Sequence, residues 1–167
     1  VAYNMPQMFR LTGEVCPEII RQVLSELIDR HEILRTQFLM VNGEPVQKIL
    51  SEADADFEYV ESSNLADDAL MSDFVRPFDL SNPPLVRAKL VTRPDYSLLM
   101  LDMHHIVGDG MSMGTFTREF TALYAGAELP VLTHQYKDYS EWMAQRDISS
   151  QKEYWVSQFS DEIPVLD

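Results

Sequence analysis

In residues 17–31, Ile20, Val23, Leu24, Leu27 and Ile28 recur at spacings of three and four, the period of an amphipathic helix with one buried stripe. Pro17 suits the first turn, where its missing N–H breaks no bond. The period then drops to two. Leu34, Thr36, Phe38 and Met40 alternate with Arg35, Gln37 and Leu39, Asn42-Gly43 supplies two positions tolerant of positive φ, and residues 46–50 return, which predicts a β-hairpin. Residues 57–60 read as a short strand, and 65–75 as a helix stopped near Pro77, with a Pro83-Pro84 break beyond it. Residues 85–92 and 97–103 read as strands joined by Arg93-Pro94-Asp95. Leu98, Leu99, Met100 and Leu101 are apolar on both faces, the mark of a central buried strand. After Gly110, the stripe Met113, Phe116, Phe120, Leu123 and Tyr124 predicts a helix stopped by Gly126. Helices over 138–146 and 150–159 complete the chain. The order predicts an α+β fold, a mixed sheet covered by helices, with no internal repeat and no linker dividing residues 1–167.

Composition narrows the function classes. The 167 residues are 46% hydrophobic and 24% charged, enough apolar surface for a self-sufficient core. Thirteen Lys and Arg against twenty-seven Asp and Glu give a net charge of −14, which argues against nucleic-acid binding, since that draws on clustered cations. Cys16 is the one cysteine, so no intrachain disulfide forms, and zinc sites built on several cysteines are excluded. No run approaches the roughly 18–20 apolar residues of a membrane span, and no basic n-region with an apolar h-region stands at residues 1–30. The expectation is a cytoplasmic protein without a membrane partner. Val1 and Asp167 read as cut ends.

The unusual segment is Met103-His104-His105-Ile106-Val107-Gly108-Asp109-Gly110-Met111-Ser112. A buried strand runs into two adjacent histidines, then turns through glycines into a helix, setting an imidazole at the lip of a rigid sheet. Strand side chains alternate, so His104 and His105 point to opposite sides and only one of them faces a given cavity. Asp109 sits in the turn, either orienting an imidazole, pairing with a cation, or simply forming the turn. A metal site is disfavoured because adjacent strand histidines diverge, while His31 and His134 are distant in sequence. A serine hydrolase built on Ser112 lacks the Gly-x-Ser-x-Gly elbow, and Cys16 lacks any catalytic signature. The leading chemistry is a histidine acting alone as general base on a nucleophile that a substrate supplies.

His104-His105-x-x-x-Asp109-Gly110 resembles the signature of the condensation domains of nonribosomal peptide synthetases, shared with the wider chloramphenicol-acetyltransferase-like acyltransferases. Arg30-His31-Glu32-Ile33-Leu34-Arg35-Thr36-Gln37-Phe38 is similar to the family's Arg-His-Glu-x-Leu-Arg-Thr-x-Phe block. Tyr136-Lys137-Asp138-Tyr139-Ser140-Glu141-Trp142, continued by Tyr154-Trp155, is similar to its Tyr-x-Asp-Tyr/Phe-x-x-Trp block. The resemblance covers essentially the whole chain but only the first half of the family's two-lobe fold. It implies that residues 1–167 are a single N-terminal lobe, without the family's opening block or C-terminal lobe. Gly108 stands where many members carry Ser or an acid.

The resemblance implies that His105 faces the tunnel as the catalytic residue while His104 turns inward. Asp109 is expected to pair with an arginine, Arg35 first and Arg30 second. Gly110 is expected to give the turn backbone freedom and to open a helix whose positive end favours an oxyanion. The implied reaction joins a donor acyl or peptidyl thioester to an aminoacyl thioester. Donor and acceptor peptidyl carrier proteins present both on phosphopantetheine arms, and no permanently bound cofactor or metal is expected. The expected partners are those carriers, the missing lobe and an adenylation domain, and the isolated lobe is expected to be inactive. An epimerization domain, a coenzyme-A-dependent acyltransferase and a non-catalytic carrier-docking lobe are the alternatives.

Overall fold

The computed structural model of the protein describes residues 2–61 and 65–159. The chain divides into two compact units, Val1–Thr133 and His134–Asp167, whereas the sequence shows no linker inside 1–167. The boundary falls where residues 125–135 form neither helix nor strand and Gly126 takes a φ of 79°.

In the first unit, β1 (Gln7–Leu11) precedes α1 (Pro17–Arg30), a 3₁₀ turn (Glu32–Arg35), β2 (Thr36–Val41) and β3 (Glu44–Ile49). Then come β4 (Asp56–Glu61), α2 (Asp67–Phe74), β5 (Val86–Thr92), β6 (Ser97–Met103) and α3 (Gly110–Tyr124). Among the described residues the main sheet runs in the order β1-β6-β5-β4. Its β1/β6 and β5/β6 pairs are antiparallel and its β4/β5 pair is parallel, so the sheet is mixed, as the sequence suggests.

The hairpin forms a separate two-stranded sheet. Asn42 and Gly43 take φ of 53° and 85°, the two positive values that this two-residue turn requires. Leu34 and Arg35, assigned to the hairpin from the sequence, lie instead in the 3₁₀ turn, where Leu34 is buried. Strand β1 was not visible in the sequence.

Helices cover both faces of the sheet. Ile20, Val23, Leu24, Leu27 and Ile28 of α1 and Met113 and Phe116 of α3 pack with Val86, Ala88, Leu90, Leu99, Leu101 and Met103. On the opposite face, Leu70 and Phe74 of α2 pack with Val91, Leu98 and Met100. All seven residues of β6 are buried, so the central strand packs on both sides, apolar but for Ser97 at its start and Asp102 near its end. That rigidity fixes the segment that follows Met103.

The second unit contains α4 (Tyr136–Gln145) and α5 (Ser149–Gln158). Neither buries a residue, and Tyr139, Trp142, Tyr154 and Trp155 are each more than half exposed. Among the described residues, no helix is long and apolar enough to cross a membrane.

Candidate active site

The β6 alternation carries one residue further and separates the two histidines. His104 continues the Leu98–Met100–Asp102 row. Its ring meets Phe78 edge-on at 6.0 Å and Tyr3 at 6.1 Å, and its Nδ1 accepts the Ile106 N–H at 3.1 Å. An accepting Nδ1 carries no proton, so the ring is the neutral Nε2–H tautomer. Burial favours the same state by lowering the His104 pKa, against the opposing pull of Asp102. His105 is exposed. Its backbone N–H donates to the Tyr3 carbonyl at 2.8 Å, so an exposed imidazole stands on a hydrogen-bonded main chain.

Asp109 does not pair with Arg35. Its Oδ1 accepts from both the Ser112 N–H and the Ser112 hydroxyl at 2.8 Å, capping α3. Those two bonds, chiefly the backbone one, hold its carboxyl below the ordinary range. Arg35 instead donates to the carbonyls of Leu50 and Asp29, tying the 3₁₀ turn to the end of the hairpin and to α1. Arg30, the second expected partner, reaches Glu119 at 3.1 Å. The physical reason is local: an Asp three residues before a helical N–H satisfies that donor without ordering a distant side chain. The Asp109 carboxylate therefore already occupies the α3 N-terminus that was expected to serve an oxyanion. Asp109→Ala is expected to lower the melting temperature by roughly 2–4 °C, while Asp109→Asn keeps most of the cap. Combined with Arg35→Ala, its effect should be additive in denaturation melts, whereas a direct pair would give strong coupling.

Of the two glycines of the turn, Gly110 acts otherwise than expected. Gly110 has no positive φ, and a Cβ there meets nothing within 4 Å, so the turn does not require its backbone freedom. Gly108 is the constrained position. A Cβ on it would stand 2.7 Å from Met103 Sδ and 3.2 Å from Ser112 Cβ, and Met103 is buried. Gly108→Ala is therefore expected to cost about 1–3 kcal/mol by overpacking, read in urea melts; an unchanged midpoint would contradict this contact.

Two charged clusters that the sequence did not reveal brace the turn. On the α1/α3 face, Glu119 accepts from His31 Nε2 at 2.6 Å and from Arg30 Nε at 3.1 Å. Burial pushes the Glu119 carboxyl up, but the His31 and Arg30 hydrogen bonds and charges outweigh it and leave the pKa lowered. Beside this cluster lies a cavity of about 280 Å³, lined by His31, Leu34, Met103, Val107, Ser112 and Phe116 among others. It is mostly apolar and reaches the underside of the histidine turn. On the opposite face, Asp102 is fully buried and accepts from Asn4 Nδ2 at 2.6 Å. Arg87 Nε lies 3.9 Å from it. Burial raises the Asp102 pKa above the ordinary value, with Asn4 and Arg87 opposing.

Among the described residues, no group of three His, Cys, Asp or Glu side chains is placed to hold a metal ion. Cys16 precedes α1, its thiol donating to Glu18 at 3.2 Å. The Ser112 hydroxyl donates to Asp109 rather than to a histidine, so no serine–histidine pair forms there.

A mixed sheet with helices on both faces, leading through a two-histidine turn into a helix capped by Asp109, has the chloramphenicol-acetyltransferase-like fold. The Condensation domain family model matches residues 1–167, and the chain belongs to the condensation domain family. It is 45% identical over 174 residues to bacitracin synthase 3 of Bacillus licheniformis, covering 99% of this chain and 3% of that protein. It is 41% identical over 172 residues to surfactin synthase subunit 2 of Bacillus subtilis (strain 168), covering 100% of this chain and 5% of that one. The solved complex of the X-domain and OxyB from teicoplanin biosynthesis matches with a TM-score of 0.81 at 25% identity, over 99% of this chain and 40% of the matched chain. The chain thus spans a few per cent of the synthases it resembles and less than half of that solved chain.

Proposed function

We propose that the chain is the N-terminal lobe of a condensation domain that forms amide bonds in nonribosomal peptide synthesis. The observation that carries this reading is the division of labour in the turn: His104 is packed and neutral, while His105 is exposed on a fixed backbone. The acceptor's amine attacks the donor thioester carbonyl, the C–N bond forms, the C–S bond breaks and the donor arm leaves as a thiol. One proton must leave the attacking nitrogen. An α-ammonium titrates near 8, so His105 needs only to take that proton or to orient the free amine, and holding both arms together supplies much of the acceleration.

The substrates arrive on phosphopantetheine arms of donor and acceptor carrier proteins, and an adenylation domain loads the acceptor. The second lobe of the same fold supplies the other wall of the tunnel. The exposed aromatics of α4 and α5 and the 40% coverage of the matched solved chain support a covering lobe; without it, residues 1–167 are inactive.

The test is intact-protein mass spectrometry of the acceptor carrier after mixing full-length protein with loaded donor and acceptor carriers. The expected product is the acceptor carrier heavier by the donor acyl group. Exchange of the α-proton for deuterium without mass transfer would instead identify an epimerization domain.

A further inference from the structure

The buried face beneath His104 carries groups that the reaction above does not use. Leu98 and Met100 precede Asp102 in the same inward row, packed against Leu70 and Phe74, and an apolar residue would continue that row without charge. The chain instead buries a carboxylate completely and faces it across the β5/β6 register with Arg87, which is 2% exposed. Their pairing is incomplete. Asp102 Oδ1 and Arg87 Nε and Nη1 have no hydrogen-bond partner among the described residues. A buried charge pair of this kind often stabilises less than well-packed apolar side chains would, and unsatisfied buried groups concentrate where function imposes them.

Both charged groups lead to the histidines. Asp102 holds Asn4, whose side chain also donates to the Arg76 carbonyl at 2.9 Å. Asn4 bridges to His104, and its neighbour Tyr3 contributes the carbonyl that binds the His105 N–H and the ring beside His104. Arg87 stacks 3.6 Å from the centroid of Phe78, and Phe78 meets His104 edge-on.

We infer that Asp102 is a positioning residue for the His104–His105 turn: its buried carboxylate fixes Asn4 on one side and Arg87 on the other, and through them Tyr3 and Phe78 hold the two histidines. The inference rests on the proposed role of His105. Asp102 touches no substrate; it acts by keeping the His105 backbone in register, where a displacement of about 1 Å can cost on the order of 100-fold in rate.

The test separates position from stability in full-length protein, using carrier-loaded substrates and mass-spectrometric rates. The double variant Asp102→Leu/Arg87→Met exchanges the charges for apolar groups. It is expected to melt at or above the wild-type temperature, because both buried charges are removed and Asp56, which also lies 4.0 Å from Arg87, keeps Arg76 at 2.9 Å. Its kcat should nevertheless fall roughly 10- to 100-fold, with KM for the loaded carriers within about twofold. Asn4→Ala should lower kcat in the same direction, and adding it to the double variant should cost little more, since all three groups act through one clamp. A folded double variant with wild-type kcat, or one in which only KM rises, overturns the inference. If the double variant does not fold, Asn4→Ala decides alone, and wild-type kcat there overturns it. His105→Ala runs alongside: wild-type turnover in that variant overturns the role of His105 itself, whereas a defect there with full activity in the double variant overturns only the positioning role.

Discussion

His105→Ala in the full-length protein is expected to slow amide formation on the order of 10²–10⁴-fold, the range over which a positioned proton acceptor contributes, and to leave the melting temperature unchanged. The rate loss rests on the role proposed for His105, and the unchanged stability on where the residue sits. The ring is exposed, so truncating it removes no packing, and the backbone bond to the Tyr3 carbonyl survives the change. His104→Ala should behave differently. It deletes the acceptor of the Ile106 N–H and the edge contact with Phe78, so stability and rate fall together. Thermal melts beside single-turnover rates separate the two histidines, and equal effects on both readouts for His105 would contradict its assignment.

Glu119→Ala is expected to destabilise the fold by about 3 kcal/mol, or a fall of roughly 6–12 °C in melting temperature. Glu119 binds Arg30 and His31 at once, and its removal takes a shared carboxylate from both cationic side chains between α1 and α3. The two single variants Glu119→Ala and Arg30→Ala should therefore be strongly non-additive in a double-mutant cycle. The pH dependence has a definite sign. The folded carboxyl lies below the ordinary 4.5, so its contribution is complete above that value and disappears as pH falls through the lower folded pKa. Wild type and Glu119→Ala should thus converge in stability in strong acid, separate as pH rises towards 4.5 and keep the full gap above it; a gap that stays the same into strong acid would show that the loss is one of packing.

How much of this was legible depends on the range of each interaction. The period of three and four in α1 and α3 and the Asn42-Gly43 turn are local signals, and all three elements stand where the sequence puts them. So does the central strand, whose apolar residues face a helix layer on each side. Strand β1 was missed because Gln7–Leu11 is a short edge strand without a fully buried residue, so its alternation is weak. The histidine turn was legible by motif, but its bracing was not. Asp102 and Asn4 are 98 residues apart, and His31 and Glu119 are 88 apart, and no periodicity announces such pairs. Asp109 is the instructive case. A cap signal three residues long, Asp109 to Ser112, was present in the sequence, and it prevailed over the arginine that the family resemblance suggested.

On the proposed function, the substrates are carrier-bound thioesters. The most direct measurement is kcat/KM of the full-length protein for one acyl group presented on its donor carrier and on soluble coenzyme A, with the same loaded acceptor. A preference for the carrier of about 100-fold or more is expected, because remote carrier contacts are used to orient the thioester at the reacting amine. Equal rates from the two donors would contradict it and place the chain with the coenzyme-A-dependent acyltransferases.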